Sequence, residues 1–398
     1  MKQYKFLIYS GFFLLIILST WQCQESPIYR NLSNSSLSLF DTTFYDIEGS
    51  SYWISPQMGL VEKLYFGSKN DISAHNNLIE MPKSSSWSYF LDSNIIIDSA
   101  HFIIFSPDSI ISIDQSLKLY FSPDSHFSES NSINSDFDNF NLSEWNYNSI
   151  GNLNIELDSL GDFVKSSVKW DIFNLVETLT DTSDTNLVKT FLINYDIADS
   201  SLFSFYSRQT TTNLSPQIVI HYRYFEGDSI DTTSYAYYAS KDITIIEKTG
   251  FNYLDSLDCG ISLGLGQRVL LDIQFSLPKG SLIKSAELFL FQDSIFSNDG
   301  HKIVIDPIST FLDTNISYFQ TDPYFTIGYP DAMYTTLYDD TLNVSMKDFM
   351  QNLILENNQN IGFKVFSSVA NDPFEKVHFS FDEASLKPYL EVLYAQSE

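Results

Sequence analysis

Residues 267–291, QRVLLDIQFSLPKGSLIKSAELFLF, decide the fold, because the second half of this stretch occurs twice in the chain. Residues 283–291 (IKSAELFLF) follow the same order as residues 97–105 (IDSAHFIIF): apolar, charged, Ser, Ala, polar and then four apolar residues. Short apolar runs bounded by Gly, Pro and Ser are typical of β-strands. A strand repeated in this way predicts a repeated domain.

The repeat continues toward the end of each copy. The apolar spacing within residues 172–179 is that of a short amphipathic helix. Each copy has such a helix, then a strand, then a closing strand led by Pro, at 172–179, 191–195 and 216–222 and again at 349–354, 362–366 and 388–394. Matches at several places in the same order favour an ancient duplication over chance.

We therefore predict an all-β protein with two tandem jelly-roll-like β-sandwich domains, each with one short helix. The polar, breaker-rich sequence after residue 225 is typical of a linker. The predicted organisation is a signal peptide at 1–22, a tether at 23–41, a first sandwich at 42–225, a linker at 226–234 and a second sandwich at 235–398.

The composition agrees with this fold and excludes some classes of partner. Of 398 residues, 43% are hydrophobic, with 33 Phe and 24 Tyr, which favours half-buried strands over helices and disorder. Fifty acidic residues against 22 basic ones give a formal charge of -28. Such a surface repels phosphate backbones, so we expect no nucleic-acid partner.

The first 26 residues predict a targeting signal that directs the protein out of the cytoplasm. Lysines precede an apolar run at 6–18, which has the length of a signal-peptide core. Cys23 then stands where a bacterial lipoprotein signal is cleaved and acylated, and the segment resembles such a signal. It predicts lipidation at Cys23 and attachment of the protein to a membrane through that lipid, with ordinary secretion or an uncleaved anchor as the alternative. Gln24 after the cysteine favours the outer membrane by analogy.

No catalytic constellation is visible in the sequence. The six histidines show no metal-ligand spacing, and no nucleophile elbow or phosphate-binding glycine loop is present. Residues 260–266 are Gly-rich, but we expect them to form a loop that enters a sheet. Cys259 has apolar neighbours, and we expect it to be a small buried residue. We therefore expect a protein that is not an enzyme, with no catalytic residue, no metal ligand and no cofactor. The one candidate Ca²⁺ segment, residues 181–186 (DTSDTN), lacks the Gly and the distal Glu of an EF-hand loop, and a plain loop is the alternative.

Three tryptophans are the candidates for sugar stacking. Trp53, Trp87 and Trp145 each lie in a polar context with a Tyr nearby. Exposed aromatic rings are the usual platforms for sugars, whereas packing of the same rings in a core is the alternative for each of them.

The second copy resembles a known family, the DNRLRE-type β-sandwich module, a carbohydrate-binding-like domain of secreted bacterial proteins. Arg268 to Ile273, the Leu277-Pro278-Lys279-Gly280 turn and residues 283–291 stand in the order of that family, and Pro388 begins its closing strand. In the first copy the resemblance rests on residues 170–176, on Ser207-Arg208 and on the closing strand from Pro216. The resemblance implies a β-sandwich and non-catalytic polysaccharide binding.

The functional hypothesis is a non-catalytic surface-binding protein of the cell envelope, with polysaccharide as the first expected ligand. A structural or adhesive scaffold that docks another envelope protein is the alternative. A polysaccharide lyase or hydrolase on the same scaffold is a third, less favoured hypothesis.

Overall fold

A computed structural model describes the chain from residue 37 to residue 397, with gaps. The described residues are 37–56, 58–70, 72–82, 85–107, 117–122, 127–129, 145–157, 163–181, 189–195, 202–210, 213–227, 229–248, 259–292, 300–308, 318–324, 333–355, 360–381 and 386–397. The predicted signal peptide, Cys23 and most of the predicted tether lie outside them.

The described chain is almost entirely strand, as predicted. The strands are β1 (Leu37–Phe44), β2 (Ile47–Ile54), β3 (Lys63–Lys69), β4 (Ile72–Met81), β5 (Ile95–Ser106), β6 (Leu117–Ser122), β7 (Asn146–Ile150), β8 (Asn152–Leu157), β9 (Phe163–Asp171), β10 (Lys189–Tyr195), β11 (Phe203–Tyr206), β12 (Gln217–Glu226), β13 (Ser229–Tyr238), β14 (Lys241–Lys248), β15 (Gly260–Ile261), β16 (Gln267–Gln274), β17 (Leu282–Phe291), β18 (Lys302–Ile308), β19 (Tyr318–Phe319), β20 (Met333–Thr336), β21 (Thr341–Ser345), β22 (Asn360–Ser367), β23 (Val377–His378) and β24 (Tyr389–Ser397). The helices are α1 (Val176–Thr180) and α2 (Lys347–Leu355), and short 3-10 turns lie at Met58–Leu60, Ser85–Leu91 and Phe173–Leu175.

The first sandwich packs two sheets around one core. One sheet has the order β11-β3-β4-β10-β6-β7, with β14 also paired to β4, and the other has the order β13-β12-β5-β9-β8. Alternate residues of both sheets point inward, so Phe102 and Ile104 of β5 meet Phe121 and Phe191 of the facing sheet, all at most 1% exposed. The core buries these side chains because the pleat turns every second residue toward the facing sheet.

The second sandwich has the same plan. Its sheets have the orders β1-β24-β17-β21 and β19-β2-β16-β22-β18-β20, with a small β15-β23 sheet beside them. The strands of the sequence repeat occupy matching places: β5 and β17 each lie between a closing strand, β12 or β24, and the strand before the helix, β9 or β21. The prediction of an all-β fold with two sandwiches and one short helix in each is confirmed.

Strand pairing divides the chain differently from the predicted domain bounds. Residues 226–234 do not link two domains, because β12 and β13 form a hairpin that turns at Gly227, where φ is 61°. β13 pairs with β12 and β14 pairs with β4, so both belong to the first sandwich. The segment resembles a linker in composition because residues 229–235 of β13 are all exposed.

The first strands of the chain belong to the second sandwich. β1 pairs with β24 along its whole length, and β2 pairs with β16. Residues 58–248 therefore build the first sandwich, whereas 37–54 and 259–397 together build the second. Strands β1 and β2 hold the same places in the second sandwich that β13 and β14 hold in the first, so the two copies are circular permutants of one another.

The two sandwiches contact each other through an apolar cluster and a few polar bonds. Leu265 and Phe374 of the second sandwich pack with Tyr65 and Ile72 on the outer face of the first. Lys69 Nζ lies 3.2 Å from Asp372 Oδ2 across the same joint. Gly264 N donates to Pro373 O at 3.0 Å, which fixes the loop that carries Leu265.

Candidate ligand-binding face

An aromatic strip lies on the outer face of the β1-β24-β17-β21 sheet. Leu288 and Leu290 of β17 point into the core at 0% exposure, so Phe289 and Phe291 point outward. On β24, Leu390 and Val392 point inward in the same way, which places the Tyr389 ring on the outer face. We call Tyr45, Phe289, Phe291 and Tyr389 the aromatic face.

The four rings of the aromatic face are contiguous. Tyr389 stacks on Phe289 with ring centroids 4.7 Å apart and lies 5.9 Å from Phe291 and 6.0 Å from Tyr45. Phe289 and Tyr389 are direct cross-strand partners, which holds their rings side by side. Tyr45 is 56% exposed and the other three rings are half-buried, so the strip is reachable from solvent.

Carboxylates border the aromatic face. Glu287 and Glu391 point outward from β17 and β24 at the row next to Phe289 and Tyr389. Burial raises the pKa of the Tyr389 hydroxyl, and the nearby Glu391 carboxylate raises it further. The phenol therefore stays protonated and can donate a hydrogen bond throughout the neutral pH range.

The matching face of the first sandwich lacks the stacked pair of rings at the centre of this strip, although Phe105 and Tyr238 hold the places of Phe291 and Tyr45. The register that pairs Tyr389 with Phe289 pairs Gln217 with Ile103 in the first sandwich. His101 lies on that face, 6.3 Å from His221, and burial lowers its pKa. Among the described residues no group of His, Cys, Asp or Glu is arranged to hold a metal ion. The stacked pair of Phe289 and Tyr389 is thus particular to one copy of the repeat.

The structure places the three candidate tryptophans inside the protein or at its joint. Trp53 and Trp87 are 2% and 0% exposed, so neither has a ring face that a sugar can reach. Trp87 stacks on Tyr237 at 3.8 Å, and its Nε1 donates to Pro82 O at 2.9 Å. Trp145 is half-buried against the apolar cluster between the sandwiches. None of the three lies in the aromatic face.

The other residues singled out in the sequence have structural positions. Cys259 is 8% exposed, which agrees with the expected buried residue. Residues 260–266 form the tight connection from β15 into β16, which agrees with the expected loop. Of the candidate Ca²⁺ segment, Asp181 alone is described, at the end of α1, and residues 182–186 lie outside the described chain.

Two buried charge networks lie inside the sandwiches, away from the aromatic face. In the second sandwich Lys364 Nζ contacts Asp322 at 3.0 Å and Asp306 at 3.2 Å, and Arg268 also pairs with Asp322. In the first sandwich Asp242 lies against Glu129 and Arg208 and is 1% exposed. The opposite charges of each network pair with one another, which offsets part of the cost of burying them.

Sequence reasoning missed the aromatic face because it searched for tryptophan. The unbroken apolar run LFLF at 288–291 held the signal, because consecutive residues of a strand point to opposite faces and two of these four must therefore point outward. Comparison of the two copies held a second signal, because Gln217 and Ile103 replace Tyr389 and Phe289.

No protein-family model and no curated protein matches this chain. In the described part of the chain no helix is long and apolar enough to cross a membrane.

Proposed function

We propose that this protein is an exported cell-envelope protein that binds polysaccharide, without cleaving it, through the aromatic face of the second sandwich. The observation that carries the proposal is the contiguous strip of Tyr45, Tyr389, Phe289 and Phe291 on the open face of a four-stranded sheet. Flat rings supply stacking surfaces for the apolar faces of sugars, and the bordering carboxylates and the Tyr389 hydroxyl supply hydrogen-bonding groups.

The test is retention of the protein on a panel of insoluble or gel-embedded polysaccharides. Tyr389→Ala removes the ring that contacts all the others, and we expect it to abolish retention on the glycan that the wild type binds. Tyr334→Ala is the matched control, because Tyr334 is an exposed tyrosine on a different sheet and should leave retention unchanged. Retention on no member of a broad panel would refute polysaccharide binding, and release of new sugar ends during the assay would reveal an enzyme.

The lipid anchor is a separate part of the proposal and rests on the sequence around Cys23. Cells expressing the protein should incorporate labelled fatty acid into it, and Cys23→Ala should remove the label. Labelling that survives this substitution would place the anchor elsewhere.

A protein-docking role is the second candidate, favoured by the hairpin of β12 and β13. Residues 229–235 are all exposed, with Ile230 at 56%, and β13 is an edge strand of its sheet. Unprotected edge strands can pair with a strand of another protein. Crosslinking in intact envelopes should capture a partner through this hairpin if docking is the function, and a Tyr389→Ala variant should capture it equally well.

A further inference from the structure

Two glutamates stand directly opposite each other beside the aromatic face. Glu287 of β17 and Glu391 of β24 are cross-strand partners, and both point outward. The same row continues to Thr43 on β1 and Ser345 on β21, neither of which is charged. Among the described residues, no cation and no hydrogen-bond donor pairs with either carboxylate.

This arrangement is unfavourable for the protein alone. Like charges directly opposite on neighbouring strands repel each other and destabilise the sheet. The first sandwich shows that the fold does not need them, because the register that pairs Glu391 with Glu287 pairs Val219 with His101 there. The acidic pair and the stacked pair of Phe289 and Tyr389 therefore occur together in one copy and are both missing from the other.

We propose that the aromatic face takes a polysaccharide that carries positively charged amino groups, such as a polymer of amino sugars with unacetylated amines. This inference rests on the proposed polysaccharide binding and specifies the chemistry of the ligand. An ammonium group placed over the row of Glu287 and Glu391 neutralises their mutual repulsion. The faces of the Tyr389 and Phe289 rings in the adjacent row attract the same group through their π-electrons.

The charge of the whole chain favours the same class of ligand. A formal charge of -28 repels polysaccharides built on uronic acids or sulfate esters and attracts cationic ones. An uncharged glycan could stack on the rings, but it would leave the repulsion between the Glu287 and Glu391 carboxylates unchanged.

The experiment compares two glucosamine oligomers of equal length, one with free amines and one fully N-acetylated, by titration calorimetry with the full-length protein. We expect the free-amine oligomer to bind at least about tenfold more tightly at low salt. This preference should shrink as NaCl rises from about 50 to about 500 mM, because salt screens exposed charges.

Variants separate the contributions of charge and stacking. Glu287→Gln with Glu391→Gln should lose the preference for free amines while keeping the thermal stability of the wild type or exceeding it. The double variant Glu177→Gln with Asp231→Asn changes the net charge equally on exposed sites of the first sandwich and should keep the preference. Tyr389→Ala should weaken binding of both oligomers.

The outcomes distinguish the two proposals. Equal affinity for both oligomers, or binding that requires a divalent cation and is lost with chelator, would overturn the amine preference and leave polysaccharide binding intact. Binding of neither oligomer alongside retention on another glycan of the panel would do the same. Retention on no glycan at all would overturn both.

Discussion

The Asp242 carboxyl group is buried where β14 begins, and its surroundings penalise its charge. Its Oδ2 accepts from Arg208 N at 2.5 Å, and the Glu129 carboxylate, itself paired with the Arg208 guanidinium, lies beside it. Burial raises the pKa of Asp242 to about 7, with Glu129 adding to the rise against the opposing hydrogen bond and charge of Arg208. The residue therefore changes charge inside the physiological range.

Asp242→Asn should stabilise the protein above neutral pH. A carboxyl group with a pKa raised from 3.8 to about 7 contributes stability that is complete below pH 3.8 and is lost as pH rises through 7. Removal of the charge should raise the free energy of unfolding above pH 8 by up to about 4 kcal/mol, because each unit of pKa shift corresponds to about 1.4 kcal/mol. Urea unfolding at pH 5 and pH 8 measures this, and the wild type should lose more stability between the two than the variant does.

Asp41→Asn is the control for this prediction. Asp41 is an exposed carboxylate on β1, so its replacement should change stability by under about 0.5 kcal/mol at either pH. Equal pH dependence of the wild type and Asp242→Asn would contradict the assignment of a neutral Asp242 at acidic pH.

At the scale of single elements, the turn into β16 positions β2. Gly266 has φ of 62°, its carbonyl accepts from Ile54 N at 2.8 Å, and a Cβ added to it would lie 1.9 Å from Ile54 O. A side chain at this position would meet both backbone strain and a backbone clash, so the pairing of β2 with β16 depends on glycine.

Gly266→Ala should destabilise the second sandwich by about 2 kcal/mol or more, because the clash adds to the strain of a positive φ. Gly280→Ala is the matched control, since Gly280 has φ of 81° but nothing within 4 Å of an added Cβ, and it should cost only about 1 kcal/mol. Thermal unfolding of both variants checks the difference. Equal losses of stability in the two variants would show that the backbone at Ile54 moves aside at little cost.

The elements also show how far the sequence could predict the fold. Local pattern was sufficient for α1, because the apolar spacing of residues 172–179 is helical whatever surrounds it, and the helix with its preceding turn covers residues 173–180. It was equally sufficient for β5 and β17. It failed for residues 226–234, since an exposed hairpin and a linker have the same polar composition and only the pairing partner distinguishes them.

The candidate site was harder to predict than the strands. Trp87 has a polar neighbourhood in sequence but lies under Tyr237, a residue 150 positions away, and nothing local encodes that contact. Tyr389 and Phe289 become neighbours through strand register, which sequence periodicity does not fix.

At the scale of the whole molecule, the chain enters the second sandwich, builds the first and then returns. A fragment of residues 58–248 contains every strand of the first sandwich and should fold alone. A fragment of residues 235–398 lacks β1 and β2, leaves β16 and β24 without these partners, and should not unfold cooperatively. Circular dichroism and urea titration distinguish these results.

Moving the two missing strands, β1 and β2, should rescue the second fragment. Leu37 pairs with Ser397, so residues 37–54 joined after residue 397 by a two-residue Gly-containing turn would copy the Glu226-to-Ser229 turn of the first sandwich. Cooperative unfolding of the 235–398 fragment without this addition would show that β1 and β2 are dispensable, and failure of the rearranged chain to fold would argue against the permutation.

The pairing of Leu37 with Ser397 also fixes how the molecule would carry tension. If the chain is held at Cys23 and pulled by a polysaccharide on the aromatic face, the load would reach the described part of the chain at Leu37 and pass through β1 into β24. Tyr45 stands at the far end of β1, about 25 Å from that entry point for an eight-residue strand. The load path would lie within the second sandwich, and the first sandwich would carry no load. Such a module remains free to hold a second partner while the anchor is under strain.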